Sequence, residues 1–176
     1  DIQGWLFDVL LALSWREYGE IGVRILAALA MMTMWIALYK SVRLFRDSDD
    51  SAAVIASLSM LMVVVGMTVR PHLFTYPAFS IVLCGLLYFV VRGQLRYLIP
   101  LPILFMLWPN FHYAFVIGQI SIVLFWAAAI ADRLRPISER RKLDGLLKPW
   151  PMFILLLCFV APIANPYGVD VYAQIA

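Results

Sequence analysis

Four long apolar runs, 21–39, 52–69, 73–91 and 113–131, each end in charge or proline. Each is close to the roughly 20 residues that an α-helix needs to cross a bilayer. Two shorter, less regular runs follow the same habit: 97–108, which carries Pro100 and Pro102, and 150–165, which carries Pro162. Proline in a membrane helix frees carbonyl groups that neighbours must satisfy, so these two segments should face protein or a cavity rather than lipid. Hydrophobic residues make up 64% of the chain and charged residues 14%, against roughly 45–50% and roughly 25% in soluble domains. A soluble fold is thereby excluded. The expected class is all-α: a polytopic transmembrane helix bundle of about six spans occupying 17–176.

The basic residues orient this bundle. Lys40, Arg43 and Arg46 follow the first run, Arg92 and Arg96 the third, and Arg133, Arg135, Arg140, Arg141, Lys142 and Lys148 fill the longest loop, so three loops hold eleven of the 14 Lys and Arg. If every run crosses once, all three loops share one side, which the bias of short cytoplasmic loops toward Lys and Arg identifies as cytoplasmic. Loops 40–51, 92–96 and 132–149 are therefore expected inside, in a multi-pass protein of the inner membrane. A re-entrant hairpin at 97–108 would put the six-charge loop opposite the other two, and charge argues against it. The stretch 1–16 begins on the outer face. There Asp1, Gly4, Asp8 and Ala12 recur at helical spacing among Ile2, Trp5, Leu6, Val9, Leu10 and Leu13, the pattern of an interfacial amphipathic helix. Because the chain opens at Asp1 and closes just past Tyr172, it reads as part of a longer protein.

The unusual polar residues gather on that outer face. Arg70 and His72 flank Pro71 at a run boundary, and a guanidinium there suits a phosphate headgroup, whose oxygens it binds in a bidentate fork. The plainer alternative is Arg70 snorkelling to lipid and His72 capping a turn. Asn110 and His112 stand in the aromatic cluster Trp108-Pro109-Asn110-Phe111-His112-Tyr113; both need partners if they point inward, and His serves structural roles as well as those of donor, base or ligand. Asn165-Pro166-Tyr167-Gly168 has turn chemistry in its own right, with Asn165 a further substrate-binding candidate. Asp1 and Asp8 are weak candidates for a general base. Two histidines without a placed carboxylate make a poor metal site, Cys84 and Cys158 sit inside apolar runs as small hydrophobes, and no cofactor motif is present. The basic loop from Arg133 to Lys148 lacks the stacking aromatics of a nucleic-acid site and suits anionic lipid instead.

The order Gly4-Trp5-Leu6, Arg70-Pro71-His72-Leu73-Phe74-Thr75, Trp108-Pro109-Asn110-Phe111-His112 with Phe115 and Gly118, and Asn165-Pro166-Tyr167-Gly168 resembles prokaryotic multi-spanning membrane proteins similar to the GT-C glycosyltransferases, which take sugars from polyprenyl-phosphate donors. The resemblance covers nearly the whole chain. Two departures stand out: Gly4 where an acidic residue is common, and Tyr113-Ala114 in place of a glycine pair. The resemblance implies that the N-terminal span and first outer loop, with the catalytic acid, lie upstream of Asp1, and that a divalent cation enters only with a catalytic role. It further implies that Arg70 and His72 bind phosphate while Asn110 and His112 position donor or acceptor, in an active transferase or an inactive relative.

The alternative is a non-catalytic accessory or scaffold subunit of a larger membrane complex, in which Ala27-Ala28 and Ala127-Ala128-Ala129 allow close approach of neighbouring helices. A transporter is disfavoured, because the chain shows no internal repeat and no ionisable residue near the middle of a clear span.

Overall fold

A computed structural model describes residues 4–64, 69–135 and 143–173. Among them the chain is helical without strands. The α-helices are α1 (Trp5–Arg43), α2 (Asp49–Val64), α3 (Thr75–Arg92), α4 (Leu101–Leu107), α5 (Phe115–Arg133), α6 (Pro149–Val160) and α7 (Asp170–Ala173). Short 3-10 turns at Pro71–Phe74, Leu95–Tyr97, Trp108–Asn110, Leu143–Leu147 and Ala161–Ala164 join or extend them. Three helical stretches are long and apolar enough to cross a membrane: Trp5–Arg43, Pro71–Arg92 and Phe115–Arg133. Pro149–Ala164 is apolar but shorter.

The first of these contains a corner. Gly19 has φ 58° and ψ −143°, a conformation that a residue with a Cβ adopts only at a cost. Beyond it, Gly22 approaches the earlier segment so closely that a Cβ there would lie 2.3 Å from the Ser14 carbonyl oxygen. In a straight helix residues 14 and 22 would stand about 12 Å apart, so the chain turns sharply at Gly19. The N-terminal stretch expected to end at residue 16 thus continues as helix to the corner. After it, 20–43 rises about 36 Å, and Ile21, Ile25, Leu29, Met32 and Ile36 form an exposed apolar stripe along it. Such a stripe is suited to lipid.

Small residues set the next layer. Ala52 and Ala56 of α2 are buried, and α2 packs along α1, where Trp35 Nε1 donates to Ser57 Oγ at 3.1 Å; Ala30 and Ala37 of α1, also buried, lie on the side of α1 that meets α3. Of the alanines expected to mediate contacts, Ala28, Ala127 and Ala128 face outward, while Ala129 is buried.

The main core lies among α3, α4, α5 and α6, where Leu86, Phe105, Trp108, Phe115, Ile122 and Leu155 are inaccessible. The run 97–108 is helical as α4 only over Leu101–Leu107, because prolines at 100 and 109 bound it. It nonetheless runs from Tyr97, which packs on Tyr88 near the end of α3, to Trp108, which donates to Thr75 at the start of α3. The molecule consequently has a basic end, near Lys40, Arg92 and Arg96, and a motif end, near Thr75 and Trp108. α3 separates them by about 27 Å. A polar tie crosses the core near the motif end: Gln119 Nε2 donates to Tyr172 Oη at 2.7 Å and to the Cys158 carbonyl at 3.1 Å, and Tyr172 Oη donates to the Phe159 carbonyl at 2.5 Å.

Gly118 is what lets α5 meet two aromatic rings. A Cβ at this position would stand 2.8 Å from ring atoms of both Phe105 and Trp108, and those rings are fully buried. Gly118→Val is expected to lower stability by about 1–3 kcal/mol, measured by thermal unfolding in mild detergent. Gly145→Ala, where the new methyl meets only Phe89 at 3.7 Å, is expected to cost less.

Candidate functional site

The four sequence motifs meet at one end of the bundle. Gly4 packs so tightly against this end that a Cβ would lie 2.8 Å from the Phe111 carbonyl oxygen and 3.5 Å from Pro71; its φ of 87° is of the left-handed kind that glycine favours. An acidic side chain at position 4 would have to displace backbone. Phe7 meets the edge of Phe74 at 6.0 Å, and Phe74 stacks on Phe111 at 4.5 Å. These rings clamp the first helix to the two helix breaks at 71–74 and 108–110.

Asn110 is the polar centre of the junction. Its Oδ1 accepts from Trp5 Nε1 at 2.9 Å and from Asn165 Nδ2 at 3.0 Å. Its Nδ2 donates to the carbonyls of Met106 at 3.0 Å and Leu107 at 3.3 Å, the groups left over as α4 gives way to the 3-10 turn. An amide has two lone pairs and two N–H donors, and all four are engaged. Asn165 is buried as well, and its Oδ1 accepts the Tyr167 N–H at 2.9 Å, closing the turn that its sequence implies.

His112 sits beside this centre. Its Nδ1 accepts the Ala114 N–H at 3.2 Å and lies 3.3 Å from Thr75 Oγ1, which itself accepts from Trp108 Nε1 at 3.4 Å. A backbone N–H can only donate, so Nδ1 is an acceptor and the neutral ring carries its proton on Nε2. Tyr113 stacks on the ring at 4.3 Å, and the His72 ring stands 6.3 Å away. Burial, and then the neighbouring His72, hold His112 below the ordinary histidine pKa of 6.5, since both disfavour the charged form.

Arg70 is exposed in extended backbone at the N-cap of the Pro71–Phe74 turn; its carbonyl accepts the Leu73 N–H at 2.8 Å, and its guanidinium makes no ion pair among the described residues. Asp8 is exposed one turn beyond Gly4 and shares an open recess with Val69, the residue before Arg70. Asp1 lies outside the described residues, as do Arg140, Arg141 and Lys142. Among the described residues no group of three or more His, Cys, Asp and Glu is placed to hold a metal ion.

The junction therefore combines Trp5, Pro71, His72, Asn110, His112 and Asn165, with Arg70 and Asp8 at its rim. Sequence reasoning missed Thr75 as the bridge between Trp108 and His112, and Gln119 with Tyr172 as the tie behind the junction. A Thr opening a long apolar helix and a Gln inside one are the available signals.

Two outcomes are expected. Asn110→Leu leaves the Trp5 and Asn165 donors and two carbonyls without their partner, and is expected to lower stability by roughly 2–4 kcal/mol, read as a fall in thermal midpoint with loss of Trp5 fluorescence change on unfolding. His112 has its pKa lowered in the folded state, so the unfolded chain binds the proton more readily; its contribution is present above about pH 6.5 and is lost as pH falls through the folded-state pKa. The thermal midpoint is expected to drop between about pH 7 and about pH 5, and His112→Gln is expected to flatten that slope.

No protein-family model, curated protein or solved structure matches this chain, so the functional reading rests on the junction's own geometry.

Proposed function

We propose that this is a multi-pass inner-membrane protein whose motif end recognises the phosphate of a lipid-linked sugar, as an active GT-C-like glycosyltransferase or an inactive relative of one. The observation that carries the reading is the division of labour at the junction. The amides of Asn110 and Asn165 are held by internal bonds, whereas Arg70, His72 and the Nε2 edge of His112 have no carboxylate partner among the described residues. A cluster of N–H donors without acidic partners, at the edge of a low-dielectric bundle, favours an anion. The chain's bias of basic residues toward the opposite end supports an outer position for the motif end, and in this reading the stretch before Gly19 lies along the outer interface.

In a transfer from a lipid-phosphate donor, the acceptor hydroxyl attacks the anomeric carbon while the bond to the lipid phosphate breaks and the phosphate leaves with the electron pair. Arg70 would stabilise the charge gathering on that phosphate, and the neutral His112 would donate through Nε2–H. The hydroxyl proton needs a base, for which Asp8, sharing a recess with Val69 beside Arg70, is the candidate. Asn110 and Asn165 position the donors rather than touch substrate.

The accessory-subunit reading has one observation in its favour: Ala28, Ala127 and Ala128 turn outward and would let another membrane helix approach closely.

The test is binding of polyprenyl monophosphate to the full-length protein in detergent, followed by native mass spectrometry, alongside sugar transfer in vesicles. Arg70→Gln is expected to weaken phosphate-lipid binding about tenfold or more, the worth of one charge-assisted contact. Unchanged binding in a folded variant would remove Arg70 from the proposed site. Binding that is lost while the wild type transfers no sugar would identify an inactive relative.

A further inference from the structure

The face between α1, α3 and α4 carries a feature that the junction does not use. Between α1, α3 and α4 runs a lateral groove made of two apolar recesses that share Thr33 and Ile81. One, of about 250 Å³, reaches Trp108 and Phe111 at the motif end. The other, of about 400 Å³, opens at the basic end beside Lys40 and Arg96. Small residues hollow it out: Ala30 and Ala37 on α1, Ala78 and Gly85 on α3. From Lys40 to Leu26 the groove follows α1 for about 21 Å. One leaflet of a bilayer contributes about 15 Å of hydrocarbon, so an acyl chain entering from the basic side fits within the groove's length.

The charges at its mouth decide what occupies it. Arg43 pairs with Asp49, and Tyr39 Oη also donates to that carboxylate at 2.8 Å, so Asp49 is engaged away from Lys40. Lys40 has no acidic partner among the described residues. Arg96 donates to Tyr97 Oη at 3.0 Å and lies over the Tyr97 ring at 5.0 Å, which fixes the guanidinium near the mouth without neutralising it. An apolar slot of acyl-chain length that ends at two unneutralised cations is complementary to one kind of molecule. We propose that the groove binds an anionic diacyl glycerophospholipid from the leaflet at the basic end, with one acyl chain along Ala37, Thr33 and Ala30 and the phosphate held by Lys40 and Arg96. This site lies at the end opposite the junction of Arg70 and His112 and does not depend on the reading given to that junction.

The experiment uses the full-length protein in non-ionic detergent with phosphatidylglycerol or phosphatidylcholine of identical acyl chains, followed by native mass spectrometry and thermal unfolding. Wild type should retain phosphatidylglycerol over phosphatidylcholine by about tenfold or more, since each basic residue near an anionic surface favours it severalfold, and only phosphatidylglycerol should raise the thermal midpoint clearly. The double variant Lys40→Gln/Arg96→Gln should lose the preference while keeping its lipid-free midpoint. Thr33→Phe, which fills the constriction between the recesses without touching either cation, should reduce retention of both lipids. Equal retention of the two lipids by the wild type would overturn the proposal, as would a preference that survives the double variant. A preference that instead disappears in Arg70→Gln would place the headgroup at the motif end and overturn it equally.

Discussion

Interrupted helices in an apolar surrounding need partners for every backbone group they release, and this fold is organised around that requirement. The breaks at Pro71 and Pro109 and the turn at Asn165 all fall at one end of the bundle. Asn110 answers two of them with one side chain: it takes up the carbonyls freed as α4 ends, and it receives the N–H groups of Trp5 and Asn165. Because Trp5 belongs to the first helix and Asn165 follows the last long one, a local capping problem is solved by joining the two ends of the described chain. The Gln119 and Tyr172 tie does the same one layer below. Both networks place polar groups where water is scarce, so each bond is stronger and each missing bond more costly than on a soluble surface.

Much of this was legible in the residues, for reasons that differ by element. The apolar runs at 73–91 and 113–131 appear as α3 and α5 within two residues, because length and apolarity alone dictate a helix in lipid. The convergence of Gly4-Trp5, Pro71-His72, Trp108 to His112 and Asn165 follows from the alternation of basic and polar loops, which assigned them to one face. Other features were not legible. Gly19 as the corner of the first helix is invisible to hydropathy, since helical residues stand on both sides of it and only its backbone angles differ. The run 97–108 reads as a short span, yet its α-helix covers only seven residues, with turns at both ends, because two bounding prolines outweigh apolar content.

The site shows a similar limit. Asn110 and His112 were chosen by the same criterion, that a polar side chain among aromatics needs partners. The fold treats them differently. Every donor and acceptor of the Asn110 amide is occupied, so it fixes geometry. His112 uses only Nδ1, and the choice of partner, a backbone N–H that can do nothing but donate, leaves the ring neutral with its second nitrogen as a donor. No spacing rule separates an asparagine that ties helices from a histidine that keeps an edge open. The distinction lies in which atoms the surrounding backbone happens to release.

That difference bears on what chemistry the junction supports. A neutral imidazole N–H and an exposed guanidinium stabilise negative charge without first losing a proton, so they serve an anion equally in the ground state and as charge develops on a leaving group. Acceleration requires the second to exceed the first. Donors fixed in advance reduce the reorganisation needed when charge appears, and here Asn110 and the tightly seated Gly4 join the segments that carry His72 and His112. Fixed donors also serve simple recognition of a lipid phosphate. What separates the two uses is a base within reach of the acceptor, and position 4 is poorly suited to provide one: even a Cβ there would lie 2.8 Å from the Phe111 carbonyl oxygen, so an acidic residue requires that backbone to shift.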